Sequence, residues 1–146
     1  MEGSMENPIA RIEKVLRDEI DVYSGLLALE EQKSGAIIDK DGRLMESISR
    51  EQEALLSRVE RLEEARVRLI LEMTGNLPSD DAASVPTLTD IARRVDDSSA
   101  GRIVSIGMEL KRLLSRLDSL HTTNRRLIED NIEFYDILLS GLRSTA

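Results

Sequence analysis

The sequence predicts an all-α fold: an elongated antiparallel bundle or coiled coil of three long helices, with a short helix after a central loop. Three observations carry this expectation. Charged residues make up 33% of the chain and aromatic residues 2%, and the abundant Leu, Glu and Arg favour amphipathic helices over sheets. Apolar residues recur in three- and four-residue steps over stretches far longer than a strand. Turn-forming residues gather in a few places between those stretches. A hydrophobic content of 40% is enough to bury a core rather than leave the chain disordered. That core is built from Leu, Ile and Val, because rings are nearly absent.

Residues 1–4 read as an expression leftover ahead of a start at Met5, and residues 5–146 as a single helical domain. Asn7-Pro8 opens the first helix, predicted over about residues 8–39. Asn caps exposed amides, and Pro suits the first helical position because its missing N–H would be unpaired there. Ile9, Ile12, Leu16, Tyr23, Leu26 and Leu27 follow at helical spacing, with Ile37 and Ile38 near the end; Gly25 and Gly35 weaken the helix locally. Asp39-Lys40-Asp41-Gly42 supplies a turn through Gly backbone freedom and Asp turn chemistry, the alternative being one bent helix running through it.

The second helix carries a heptad seam. Ile48, Leu55, Leu62 and Leu69 form one row, and Met45, Val59 and Met73 the companion row, which Gln52 and Arg66 interrupt. Thr74-Gly75-Asn76-Leu77-Pro78 ends it, since Gly suits a left-handed cap and Pro cannot continue a helix. Residues 75–86 read as loop. Thr87 then caps a short helix that faces Leu88, Ile91, Ala92 and Val95 inward, and Asp96 to Ser99 separate it from the last one.

The third long helix, predicted over about residues 99–142, is the most regular. Ile103, Ile106, Leu110, Leu113, Leu117, Leu120, Asn124, Leu127, Asn131, Phe134 and Leu138 alternate in a/d steps. At ~1.5 Å per residue it spans roughly 65 Å, a rod rather than part of a compact globule. From Leu127 to Leu142 the apolar arc widens, with Ile137 outside the main stripe, to roughly 220° against the ~100° a packed surface helix needs. Either both other helices pack on this stretch, or it is a face that accepts an amphipathic helix from a partner. Self-association through the same surface is the third reading. Asn124 and Asn131 stand at inward positions, where a buried Asn fixes register and an exposed one pairs with a partner backbone.

Composition excludes several functions. Net charge is −8 without a basic stripe, which disfavours nucleic acid and anionic membrane surfaces. No apolar run approaches ~18 residues, so no stable membrane insertion is expected, and no stretch reads as a secretory leader. Absence of Cys removes disulfides, thiolate catalysis and Cys-ligated zinc and is compatible with a reducing compartment. The lone His121 reads as a surface pair with Asp118, and the acidic run Glu51, Glu53, Glu60, Glu63 and Glu64 as a solvated face. With no phosphate-binding loop, metalloprotease motif or nucleophile elbow, the expectation is a non-enzyme that binds polypeptides and needs no cofactor.

The helix lengths, the central loop and the Asn-bearing last seam together resemble the FlgN family of flagellar type III export chaperones. The pieces that carry the likeness are Tyr23-Ser24-Gly25-Leu26-Leu27-Ala28-Leu29, Leu62-Glu63-Glu64-Ala65-Arg66-Val67-Arg68-Leu69, the polar loop leading to Thr87-Leu88, and Asn124-Arg125-Arg126-Leu127-Ile128 through Asn131. The resemblance implies a cytoplasmic protein that binds the amphipathic C-terminal segments of flagellar hook-associated (hook–filament junction) proteins, keeps them soluble and delivers them to the export gate component of the secretion apparatus. Leu127, Ile128, Asn131, Phe134, Tyr135, Leu138 and Leu142 are then the candidate client-binding residues. Tyr135 is also a candidate contact with the export machinery, which the family places in its last helix. The competing expectation is a structural coiled-coil scaffold or spacer that self-associates through its C-terminal helix.

Overall fold

The computed structural model describes residues 7–74 and 96–144, with Thr74, Phe134, Tyr135, Leu138 and residues 142–144 described by backbone alone. Three helices account for them: α1 at Pro8–Ile38, α2 at Gly42–Thr74 and α3 at Asp97–Ser144. The all-α expectation holds. The expected loop at 75–86 and the short helix capped by Thr87 lie outside the described residues.

Each described helix start has a sequence cause. The Asn7 side chain accepts the Ile9 amide at 3.0 Å, and Pro8 takes the first helical position. Asp96 caps α3 in the same way, accepting the Ser99 amide at 3.2 Å, so the helix begins two residues ahead of the expected start. Hydrogen bonds from Ser99 hold the Asp96 carboxyl below its ordinary pKa. α3 then runs unbroken through Gly107 and Gly141.

The α1–α2 turn falls where expected but works differently. The left-handed residue is Lys40, at φ 57°, while Gly42 is the first residue of α2. The Asp41 amide donates to the Ala36 carbonyl and the Lys40 amide to that of Ile37, a Schellman closure. Asp41 then caps α2 by accepting the Leu44 amide at 3.0 Å. A side chain at a left-handed position costs about 1 kcal/mol, so Lys40→Gly is expected to raise stability by up to that amount, measured as an increased urea midpoint. An unchanged or lower midpoint would show that the Lys40 side chain contributes more than its strain costs.

α1 is the central element. It packs closely on both α2 and α3, while α2 and α3 meet only sparsely. Contacts between α1 and α2 run in opposite chain directions, from Arg11–Glu72 through Glu19–Arg66 to Glu30–Gln52. α3 lies parallel to α1, each cross-contact joining residues about ninety positions apart, from Glu13–Arg102 to Ser34–Asn124. The main core gathers Ile12, Leu16, Val22 and Leu26 of α1, Val59, Leu69 and Ile70 of α2, and Ile103, Ile106 and Leu110 of α3. Full burial of such side chains contributes roughly 1.5–3 kcal/mol each. A second cluster of Leu29, Ala36 and Ile48 closes the turn end of the hairpin. At Gly25 the Leu55 side chain of α2 fits close against α1, since a Cβ there would sit 3.2 Å from a Leu55 methyl.

The residues that interrupt the α2 seam answer two acids buried on α1. Arg66 meets Glu19, and Gln52 donates to Glu30 at 2.6 Å. Beside the first pair, the Tyr23 hydroxyl donates to Glu63 at 3.3 Å. Burial, with Glu63 and Glu19 nearby, pushes the Tyr23 phenol up to about 12, so it stays protonated and donating at neutral pH.

Candidate functional site

The candidate site lies where α3 leaves the hairpin. Its last anchor is Asn124, 1% exposed. The Asn124 amide nitrogen donates to both the backbone carbonyl and the carboxylate of Glu30, each at 3.0 Å, and its oxygen accepts from the Ser34 hydroxyl at 2.7 Å. Glu30 also accepts from Gln52 and faces the His121 ring nitrogen at 3.2 Å, so one carboxylate joins all three helices. Burial alone would push the Glu30 carboxyl up. Hydrogen bonds from Asn124 and Gln52, the Lys33 charge and the His121 contact outweigh it and hold the pKa below its ordinary 4.5. Asn124 is thus a register pin inside the bundle. Asn131, its counterpart further along, is half-buried.

The expected His121–Asp118 surface pair gives way to His121–Glu30, because Glu30 stands on the α1 face that α3 packs against. His121 and Asp118 also border an open groove of about 370 Å³ between α2 and α3, floored by Leu26 and Glu30 and walled by Leu56, Leu114 and Leu117. Among the described residues, no group of three or more acidic, His or Cys side chains is placed to hold a metal ion.

With the α1–α3 offset near ninety residues, Ile38 at the end of α1 lies level with about Ile128. The hairpin turns back there, so neither α1 nor α2 follows α3 further. Of the three readings of residues 127–142, burial by both α1 and α2 finds no support among the described side chains, where Ile132, Ile137 and Leu139 are exposed. α3 continues as a single helix for roughly 20–25 Å at ~1.5 Å per residue. Of the candidate client-binding residues, Leu127, Ile128 and Asn131 sit half-buried at the base of this overhang. Phe134, Tyr135, Leu138 and Leu142 belong to its backbone, and their side chains lie outside the described residues.

Three residues left out of the sequence-derived set are exposed here: Ile132 at 57%, Ile137 at 66% and Leu139 at 48%. Ile137 carried a signal, since it fell outside the main apolar stripe. Ile38 and Leu44 are also exposed, at the hairpin end beside the base of the overhang. Exposed apolar side chains also occur along the bundle, at Leu56, Val104, Met108 and Leu114.

The comparison with known families bears directly on this arrangement. A family model described as FlgN protein matches residues 5–146, essentially the whole chain. The chain belongs to the FlgN family. No curated protein and no solved structure matches it. Membership places this protein among the chaperones of flagellum biogenesis and type III protein export. Among the described residues of this FlgN-family chain, no helix is long and apolar enough to cross a membrane.

Proposed function

We propose that this chaperone captures the amphipathic C-terminal segments of flagellar hook-associated proteins in the cytoplasm, keeps them soluble and hands them to the export gate. The observation that supports this reading is the overhang of α3, where Ile132, Ile137 and Leu139 are exposed beyond the end of the α1–α2 hairpin. A disordered client segment that folds as a helix would bury its apolar face there through anchors spaced along one stripe. Leu127, Ile128, Asn131, Phe134, Tyr135, Leu138 and Leu142 are the proposed contacts. Ordering the client on binding moderates affinity, which suits a cargo that must be released. Binding and release suffice, and no bond-breaking step is assigned to the chaperone.

Calorimetric titration with C-terminal segments of hook-associated proteins from the same genome tests this, with light scattering to follow oligomeric state. Saturable binding is expected, weakened at least tenfold by Phe134→Asp and by Ile132→Asp, since anchor losses commonly exceed about 1.4 kcal/mol. Because Ile132 is exposed beyond the hairpin, Ile132→Asp should leave the melting temperature within a few degrees of the parent. Absence of binding together with a stable self-oligomer would favour the scaffold reading instead.

A further inference from the structure

The overhang has a charged border as well as an apolar face. Ile132 and Leu139 stand about two turns apart on one line of the helix. Glu129 and Asp136, at the same spacing, occupy the adjacent line, and Glu133 lies beside them one turn from Glu129. All three acids are exposed, as is Asp130 further round. No basic residue falls between Arg126 and Arg143. The exposed apolar edge is therefore flanked by an uninterrupted acidic row for most of its length.

We infer that the segment docking on this face is an amphipathic helix carrying Lys or Arg along one border of its apolar stripe, so that its basic edge lies against Glu129, Glu133 and Asp136. This rests on the capture reading and adds the chemistry of the client. Charge decides against a second copy of this chain as the occupant. A second copy offers no cation over residues 129–136: an antiparallel pairing of two overhangs sets the acidic rows against each other, which is destabilising, and a parallel one leaves both rows without a basic partner. A basic-edged helix satisfies both features at once: apolar burial supplies the affinity, and the charged border sets orientation, on-rate and discrimination.

The test uses the full chain and two synthetic amphipathic peptides that share one Leu-rich face and differ only in its flank, Lys in one and Glu in the other. The Lys-flanked peptide is expected to bind roughly tenfold tighter at low salt, each exposed ion pair contributing only a few-fold. The gap should close at about 0.5 M salt as screening shortens to a few ångströms. Glu129→Lys/Glu133→Lys/Asp136→Lys should invert the preference. Glu51→Lys/Glu53→Lys/Glu60→Lys, an equal charge change on the exposed face of α2, should largely preserve it. Equal binding of the two peptides, or an equal response to both triple variants, overturns the charge inference. If native client segments still bind saturably in that case, the capture reading stands without it. If no native segment binds, the capture reading fails on its own account.

Discussion

Asn124→Asp is expected to destabilise the folded protein by about 3–5 kcal/mol at neutral pH, the range for leaving a buried charge uncompensated. The amide nitrogen that donates twice to Glu30 becomes a carboxylate oxygen aimed at the Glu30 carbonyl and carboxylate. Only the Ser34 hydroxyl keeps its role as donor. Two carboxylates at that distance cannot both ionise cheaply, so one must take up a proton on folding. Asn124→Ala removes the donors without adding a charge and is expected to cost less, about 2–3 kcal/mol. Urea denaturation followed by circular dichroism reads both. A cost under about 1 kcal/mol for the Asp variant would show that this polar knot does not hold α3 to the hairpin. The pH profile is a further check. In the parent, the folded pKa of Glu30 is depressed. Its stabilisation is therefore present above the unfolded value near 4.5 and is lost as pH falls through the folded one. In the Asp variant, acid supplies the proton that the crowded pair needs, so the two proteins should converge in stability as pH falls towards 4.

The fold was legible in the sequence because helical periodicity is a local signal, and each described cap was written in residues beside the helix it starts. The a/d row of α3 was read correctly as far as the structure describes its side chains: Ile103, Ile106 and Leu110 are buried, and Leu113 and Leu117 pack against the same core. The place of the turn is legible but its geometry is not, because glycine is the usual left-handed residue and here Lys40 takes that conformation. The polar knots were only half visible. Gln52 and Arg66 stand out as breaks in the α2 seam, but nothing local marks Glu19 and Glu30 as their partners, although each falls in an apolar row of α1. Pairing them requires the antiparallel register, a non-local fact that one-dimensional periodicity does not contain. Whether the last stretch of α3 is covered stayed open for the same reason. The surplus apolar arc was evident from residues 127–142, but whether α1 and α2 would cover it depended on the α1–α3 offset, which Asn124, Ser34 and Glu30 set.

Arg66→Met, at the opposite end of α1 from that knot, should separate the charge of a buried acid from its packing. Glu19 is 1% exposed, and its carboxylate lies 3.1 Å from the Arg66 guanidinium in an ion pair too poorly aligned to count as a hydrogen bond. Burial raises the Glu19 pKa, Arg66 opposes it, and the neighbouring Glu63 adds to the rise; the net shift is upward. Removing Arg66 leaves burial and Glu63 unopposed and pushes the carboxyl higher still. A group whose folded pKa exceeds its unfolded one contributes its full stabilisation below the unfolded value and loses it as pH rises through the folded one. The variant should therefore be close to the parent near pH 4.5 and fall behind it by about 2–4 kcal/mol at pH 7–8, somewhat less than the full penalty for a broken buried pair because protonation limits the cost. Urea midpoints across that range measure it. A pH-independent loss would mean that Arg66 acts by packing its aliphatic stem rather than by its charge. The double variant Glu19→Leu/Arg66→Met completes the argument. With both charges gone and the volume kept, it is expected to match or exceed the parent at every pH, as replacements of buried ion pairs by apolar residues often do. The ion pair would then act chiefly by penalising misaligned α1–α2 registers, since sliding α2 along α1 strands Glu19 against apolar neighbours, while the Asn124 knot sets the α1–α3 offset from which the overhang begins.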